Sequence, residues 1–289
     1  HVVSTLHQRL QQPLPVAGDL PARLDALFAG SQQNPDWQRI ACALAARGRF
    51  SIITGGPGTG KTTTVVRLLA LLQTPAVEAG KPLRIRLAAP TGKAAARLTE
   101  SIGRQVGALP VDDAVRDAIP TEVSTLHRLL GSLPDSRHFR HHAGNPLALD
   151  VLVVDEASMI DLEMMANVLA ALPPQARLVL LGDKDQLASV EAGAVLGDLC
   201  RRADAGCYSP ATLEWLQQVT GQSLLEAGLQ AGDEATHLLE QQTAMLRHSH
   251  RFGAASGIGE LARAVNRCDA TAARDLLRRG GFDDIQSRR

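Results

Sequence analysis

Residues 55–63 carry the amino acids that a bound triphosphate requires. Gly55, Gly60, Lys61 and Thr62 match the spacing G-x-x-x-x-G-K-[ST] of a phosphate-binding loop. Glycines let backbone N–H groups approach phosphate oxygens that a Cβ atom would keep away. Lys61 is placed to reach the outer phosphates of ATP, and the Thr62 hydroxyl is placed to ligate Mg²⁺. The other loop residues predicted to contact the nucleotide are Gly56, Pro57, Gly58, Thr59 and Thr63.

Two adjacent acids, Asp155 and Glu156, follow an apolar run at residues 151–154. Such a run is typical of a parallel strand that is buried on both faces. Open α/β sheets bind their ligands at the carboxyl ends of these strands. We therefore expect Asp155 to hold Mg²⁺ and Glu156 to act as the base that polarises the attacking water. The pair indicates hydrolysis of the nucleotide rather than its storage.

A third strand, predicted at residues 177–181, leads into a turn that contains Gln186. In a parallel sheet, the end of this strand lies beside the ends of the other two. A neutral amide can contact the γ-phosphate or the catalytic water without competing for the proton. Gln186 is therefore a further catalytic candidate, and an ordinary charged β-turn is the alternative.

Two upstream connections between a strand and a helix have an ambiguous chemistry. Residues 89–95 place a hydroxyl, a glycine and a lysine at a turn, which suits contacts with nucleic-acid phosphates. A simple connection explains these residues equally well. Residues 124–128 are equally ambiguous, because a lone histidine is more often structural than functional.

Six segments resemble, in order, motifs I, Ia, Ib, II, III and IV of superfamily 1 DNA helicases. They are residues 55–62, 89–95, 125–131, 153–161, 181–190 and 246–252. Their amino-acid sequences are similar to those of the RecD family. They include GGPGTGKTTT, VVDEASMID and LGDKDQLASVEAGAVLGDL. Members of that family are the alpha chains of exodeoxyribonuclease V, the RecBCD complex.

The resemblance implies an ATP-dependent 5′→3′ DNA helicase motor that works with RecB and RecC in double-strand-break repair and homologous recombination. The nuclease activity is expected on RecB. By the same resemblance, Gln38 reads adenine, and Arg251 reaches the γ-phosphate as a catalytic residue of the second motor domain. Four further residues are expected to lie along the DNA single strand, namely Pro90, Thr91, Thr125 and His127.

Two other classes of function remain open from the residues alone. One is a P-loop ATPase that acts on a protein or small-molecule partner. The other is a non-catalytic regulatory subunit that binds a nucleotide. Glu156 and Gln186 disfavour the regulatory subunit, because a sensor of nucleotide needs neither residue.

The fold class implied is α/β, a RecA-like P-loop NTPase parallel sheet with flanking helices, plus the start of a second RecA-like domain. We expect residues 1–33 to be a connector from an N-terminal domain, residues 34–235 to be the first motor domain, and residues 236–289 to begin the second. Helicase motifs V and VI are expected beyond this sequence, which we therefore interpret as a fragment. The His- and Arg-rich residues 134–147 fit either a small hairpin that touches the duplex junction or a solvated loop.

Composition narrows the location and the mode of DNA binding. The 30 basic residues balance the 30 acidic ones, so a DNA-binding surface must be local. Aromatic residues make up 3% of the chain, which favours contacts with phosphate and sugar over base stacking. The four cysteines lack metal-ligand spacing, and we expect reduced thiols in the cytoplasm. Neither a signal peptide nor a membrane-spanning run is evident in the sequence.

Overall fold

Six parallel strands form one sheet in a computed structural model of the chain. The structure describes residues 2–11, 13–16, 18–134, 136, 138–186, 195–250, 256–266, 269–279, 282 and 284. The strands are β1 (Phe50–Gly55), β2 (Ile85–Ala89), β3 (Val123–Thr125), β4 (Val151–Val154), β5 (Arg177–Gly182) and β6 (Thr243–Leu246).

The order of the strands across the sheet is β3-β2-β4-β5-β1-β6. Every neighbouring pair is parallel, and β5 lies between β4 and β1 with Val179 opposite both Val153 and Ser51. All carboxyl ends therefore lie at one edge of the sheet, as the sequence predicted. This edge carries the phosphate-binding loop after β1, the two acids after β4 and the Gln186 turn after β5.

Helices cover both faces of the sheet. They are α1 (Val2–Leu10), α2 (Leu20–Leu27), α3 (Trp37–Arg47), α4 (Lys61–Glu78), α5 (Gly92–Val106), α6 (Asp113–Asp117), α7 (Leu126–Leu130), α8 (Leu162–Ala171), α9 (Val195–Leu199), α10 (Pro210–Thr220), α11 (Gly257–Asn266) and α12 (Ala270–Arg279). In seven of the described helices, an N-cap side chain accepts a hydrogen bond from a first-turn N–H group. These N-cap residues are Asp36, Thr91, Thr125, Asp161, Ser209, Ser256 and Asp269.

Alternate strand residues contribute to two separate cores. On β4, Val151 and Val153 pack on the face covered by α3, α4 and α5, whereas Leu152 and Val154 pack on the face covered by α7 and α8. All four side chains are at most 1% exposed. Burial on both faces explains why the strand sequence is continuously apolar.

The N-terminal segment, predicted as a connector, packs against the helices that cover the sheet. Leu24 of α2 is fully buried and joins the same core as α3 and α4. Arg9 of α1 is 5% exposed, and its guanidinium donates to Leu172 O, Pro173 O and Ala176 O at 2.7–3.1 Å. These carbonyls lie at and beyond the C-terminus of α8, where a cation is electrostatically favoured.

Strand β6 shows that the first domain extends further along the chain than the sequence predicted. It lies within residues 236–289, yet it pairs with β1 through Ile53 opposite Ala244 and Gly55 opposite Leu246. The first domain therefore extends at least to the end of β6, and the predicted boundary at residue 235 is too early. Helices α11 and α12 follow and pack against each other. Their assignment to a second RecA-like domain stays a prediction.

Residues 134–147 form turns that are closed by isolated bridges. Ser132 pairs with Phe139, and His142 pairs with Asn145, both in antiparallel fashion. Within the described part of this segment, no longer ladder extends from either bridge. The observed form lies between the two alternatives, a small hairpin and a solvated loop.

Three of the cysteines are buried free thiols, namely Cys42, Cys200 and Cys207. Burial raises the pKa of the Cys200 thiol to about 12, so it is protonated at neutral pH. None of the described helices combines the length and apolar character that crossing a membrane requires.

Candidate active site

Glycines give the phosphate-binding loop its shape. Gly58 and Gly60 have φ angles of +76° and +83°, a left-handed conformation that other residues adopt at a cost. A Cβ atom at Gly60 would lie 2.2 Å from Gln38 Nε2, and one at Gly55 would lie 2.7 Å from Thr59 Oγ1. Gly60 is therefore required for both conformation and space, Gly58 for conformation and Gly55 for space.

The N-terminus of α4 opens directly onto this loop. Its N-cap residue, Gly60, has no side chain to accept the first-turn N–H groups. An anion placed here would satisfy those groups and the positive end of the helix dipole. Lys61 Nζ donates to Gly55 O at 2.6 Å and to Gly56 O at 3.2 Å, so its ammonium lies against the loop itself. These features fit a bound phosphate chain.

The two acids lie at the carboxyl end of β4, as predicted. Asp155 N donates to Ala88 O at 2.9 Å, which fixes the backbone at the end of the strand. The pKa of the Asp155 carboxyl is raised above its usual value, mainly by burial and also by the neighbouring Glu156 carboxylate. A hydrogen bond from the Glu156 backbone and the Lys61 ammonium oppose this rise only in part. Glu156 has a φ angle of +52°, a strained conformation of the kind that clusters at functional sites.

Gln186 is joined to the segment after the acids. The Ser158 hydroxyl donates to Gln186 Oε1 at 2.8 Å. In the same turn, Lys184 N donates to the Thr54 hydroxyl at 3.1 Å. The sequence analysis did not identify Ser158 or Thr54 as site residues, although Ser158 lies within the motif II segment and Thr54 directly precedes the motif I segment.

A cleft of about 1500 Å³ runs along this edge of the sheet. The candidates that line it come from the ends of four strands, from α3 and from the start of α4. They are Gln38, Pro57, Gly58, Thr59, Gly60, Lys61, Thr62, Thr63, Thr91, Asp155, Glu156 and Gln186. Gly55 and Gly56 contribute through their carbonyls, which accept from Lys61. The roles of these residues in binding and catalysis remain predictions.

Gln38 lies at the end of the cleft that also contains Phe28. Its Nε2 donates to Thr59 O at 3.3 Å, and its Oε1 accepts from Arg67 Nη1 at 3.1 Å. The Arg67 guanidinium lies 4.6 Å from the centre of the Phe28 ring. No sequence motif marks Arg67 or Phe28 as neighbours of Gln38, because the three residues are far apart in the chain.

The segment after β6 closes onto the phosphate-binding loop. His250 N donates to Gly58 O at 2.8 Å, and the Ser249 hydroxyl donates to Pro57 O at 3.1 Å. The segment that resembles motif IV therefore contacts the segment that resembles motif I. Arg251 itself lies outside the described residues.

Two of the predicted DNA-binding residues are helix caps. The Thr91 hydroxyl accepts from Ala94 N, and the Thr125 hydroxyl accepts from Arg128 N, each at 3.2 Å. The side chains therefore have a structural role that the sequence did not indicate. Contact with DNA, which the resemblance implies, remains a prediction for both.

The other two predicted DNA-binding residues lie at the same edge of the sheet. Pro90 follows β2 directly, and His127 lies in α7 just after β3. His127 contacts Phe139 edge to face, with 5.9 Å between the ring centres, beside a smaller cleft of about 330 Å³. Neither residue lines the large cleft, whereas Thr91 does.

A family model and several curated relatives match this chain. The family model described as AAA domain matches residues 38–192. The RecBCD enzyme subunit RecD of Haemophilus influenzae is 44% identical over 263 residues, which cover 90% of this chain and 40% of that protein. RecD of Mycolicibacterium smegmatis is 48% identical over 246 residues, which cover 84% of this chain and 38% of that protein.

More distant similarity extends to other helicases. The ATP-dependent RecD2 DNA helicase of Deinococcus radiodurans is 43% identical over 155 residues, or 54% of this chain and 18% of that protein. A Pif1 helicase structure concerned with unwinding of forked DNA is 16% identical, with a TM-score of 0.41, and the match covers 91% of this chain and 51% of that one.

The chain spans 36–40% of the length of the RecD relatives that it matches. In the other direction, these matches cover 84–90% of the chain. The chain belongs to the AAA domain family, and over most of its length it is a relative of the RecD subunits of RecBCD enzymes.

Proposed function

We propose that this chain is the ATP-hydrolysing core of a 5′→3′ DNA helicase subunit that works with RecB and RecC. The process served would be double-strand-break repair by homologous recombination in the cytoplasm. One observation carries the proposal. Lys61, Asp155, Glu156 and Gln186 come from three different strand ends and line one cleft.

The loop and the first turn of α4 would bind the phosphates of ATP. Lys61 would exchange the carbonyls of Gly55 and Gly56 for the outer phosphates, because a charged phosphate is the stronger acceptor. Gln38 would read adenine from its position between Thr59 and Arg67. This assignment requires the Gln38 amide to give up at least one of its present partners.

The residues present fit a magnesium ion. No cluster of three or more His, Cys, Asp or Glu side chains suited to a metal occurs among the described residues. A nucleotide-linked Mg²⁺ needs only one or two protein ligands, because phosphates and waters supply the others. Thr62 and Asp155 would hold the ion, and burial raises the pKa of the Asp155 carboxyl. When bound, Mg²⁺ supplies positive charge to the phosphates.

The remaining residues would act on the attacking water and the transferred phosphate. Glu156 would accept the proton of the water, as a general base. Gln186 would donate its amide N–H to the γ-phosphate. Arg251 follows His250, which already contacts the loop through Gly58. As an arginine finger, Arg251 would contribute ~10³-fold or more to turnover.

Two observations support DNA as the partner. Proteins similar in sequence to this chain are named RecBCD enzyme subunit RecD and ATP-dependent RecD2 DNA helicase. In addition, the ends of β2 and β3 place Pro90, Thr91, Thr125 and His127 on the same edge as the ATP cleft. Movement of this edge during turnover would be passed to a strand bound there.

The test uses the whole protein that carries this sequence, assembled with its RecB and RecC partners. ATP turnover is measured with and without single-stranded DNA, and strand separation is measured on duplexes with a 5′ or a 3′ tail. RecB and RecC assembled without this protein give the background rate. Above that background, we expect DNA-stimulated turnover and unwinding of the 5′-tailed duplex alone.

Matched lysine variants assign that activity to the site. Lys61→Ala should abolish turnover, whereas Lys81→Ala, which removes an exposed lysine just after α4, should leave it intact. Turnover that DNA does not stimulate would instead support an ATPase with a non-DNA partner. Nucleotide binding without any turnover would support a regulatory subunit.

A further inference from the structure

A buried hydroxyl holds one end of the Gln186 amide. Ser158 lies in a short 3-10 helix, Ala157–Met159, just after the two acids, and is 5% exposed. Its hydroxyl donates to Gln186 Oε1 at 2.8 Å. Gln186 is itself exposed and lines the large cleft. The contact therefore joins a buried, fixed group to a side chain that faces the nucleotide site.

The backbones around this contact are held close together. A Cβ atom at Gly182 would lie 3.1 Å from Ser158 N and 2.5 Å from Leu196 Cδ2, so the end of β5 packs directly on the turn that carries Ser158. Lys184 N donates to the hydroxyl of Thr54, which is fully buried. The backbone before Gln186 is thus fixed by β1, and its side chain is fixed by Ser158.

This hydrogen bond engages one end of the Gln186 amide and leaves the other end for the cleft. A glutamine amide has an accepting oxygen at one end and two N–H donors at the other. Because Ser158 donates to the oxygen, the NH₂ group is left for the cleft. Phosphate oxygens accept hydrogen bonds only, so they require this orientation. The reverse orientation would bring the amide oxygen against the phosphate.

We infer that Ser158 is a positioning residue: by anchoring the amide oxygen of Gln186, it holds the NH₂ group toward the cleft for ATP hydrolysis. The inference rests on the proposed ATPase function. Ser158 touches neither nucleotide nor water in this role, and it acts only through the Gln186 amide. It should therefore affect the rate of turnover and leave ATP affinity nearly unchanged.

The test is a double-mutant cycle in the whole protein with saturating DNA. Gln186→Ala should lower kcat about 100-fold, the usual effect of losing a donor to transition-state charge. Ser158→Ala should lower kcat about fivefold, the value of one net hydrogen bond, with KM for ATP changed less than twofold. The double variant should be no slower than Gln186→Ala, because Ser158 acts only through that side chain.

Two further variants separate positioning from structure. Ser158→Cys keeps the size of the side chain and a weak donor, so its kcat should lie between wild type and Ser158→Ala. Ser51→Ala removes another buried serine hydroxyl of this sheet, one without a hydrogen-bond partner, and should leave kcat unchanged. Thermal melting of each variant shows whether it is folded.

Wild-type kcat in folded Ser158→Ala and Ser158→Cys, or losses that multiply in the double variant, would overturn the inference while the ATPase assignment stands. Wild-type protein without DNA-stimulated turnover would overturn the proposed function first, and the inference with it. If Ser158→Ala does not fold, the cysteine variant alone decides by the same criterion.

Discussion

Replacing Gly60 by alanine should destabilise the protein and change its nucleotide preference. The φ angle of Gly60 is +83°, and a left-handed backbone costs an alanine about 1–2 kcal/mol. The new Cβ would also lie 2.2 Å from Gln38 Nε2. The amide must turn away, which gives up hydrogen bonds to Thr59 O and from Arg67, together worth about 1 kcal/mol. We expect a loss of about 2–3 kcal/mol.

The assay is the free energy of unfolding of Gly60→Ala in urea. A second glycine-to-alanine variant, expected to be more stable than wild type, serves as the control. Gly103 is exposed in α5, and a Cβ atom there meets no atom within 4 Å. Gly103→Ala should therefore stabilise the protein by about 0.5–1 kcal/mol, because glycine is a poor helix former. A loss below about 0.5 kcal/mol for Gly60→Ala would refute the geometric reasoning.

The same variant tests the assignment of Gln38. Displacement of its amide should remove the contact that distinguishes adenine, so the ratio of ATP to GTP affinity should fall about tenfold, the effect of one lost hydrogen bond of average-to-high strength. Both affinities are measured by titration of the whole protein. An unchanged ratio would show that Gln38 does not read the base.

Three further outcomes follow from the contacts. Lys61→Ala should abolish ATP binding with little change in unfolding free energy, because Lys61 contacts only loop carbonyls; retained DNA-stimulated turnover would contradict this. Burial raises the pKa of Asp155, so the stability of the protonated form is lost as pH rises through the folded value. Asp155→Asn should therefore raise the melting temperature of the nucleotide-free protein at pH 7, with no gain below about pH 4, and it should weaken Mg²⁺-dependent ATP binding. Arg9→Met should cost about 2 kcal/mol in urea unfolding, because Leu172 O and Ala176 O lose a charged donor; a neutral effect would show that α1 is not anchored by this contact.

The central sheet and most of the cleft were predictable because their signals are contiguous. The residues after β1 follow a spacing that the phosphates impose, and the uniformly apolar β4 predicts a strand buried on both faces. Once parallel strands are assumed, their ends must meet at one edge. This geometry brought Lys61, Asp155, Glu156 and Gln186 together without any long-range information.

Features that depend on contacts distant in sequence were missed. β6 reads Thr-Ala-Met-Leu, which is short and weakly β-forming, and it is a strand because it pairs with β1. Arg9 reaches a helix end 163 residues away, and His250 reaches Gly58 across the whole domain. Nothing local marks these partners. Ser158 lies within motif II, but its hydrogen bond to Gln186 becomes evident only in the folded structure.

Turnover by Glu156→Gln tests the central claim, hydrolysis of ATP at this cleft, most directly. The measurement is kcat and ATP affinity of the whole protein with saturating single-stranded DNA, for wild type and variant together. We expect turnover to fall ~10²-fold or more, the scale for losing a general base, while affinity stays within a few-fold. Turnover near the wild-type rate, or a binding defect equal to that of Asp155→Asn, would contradict the account.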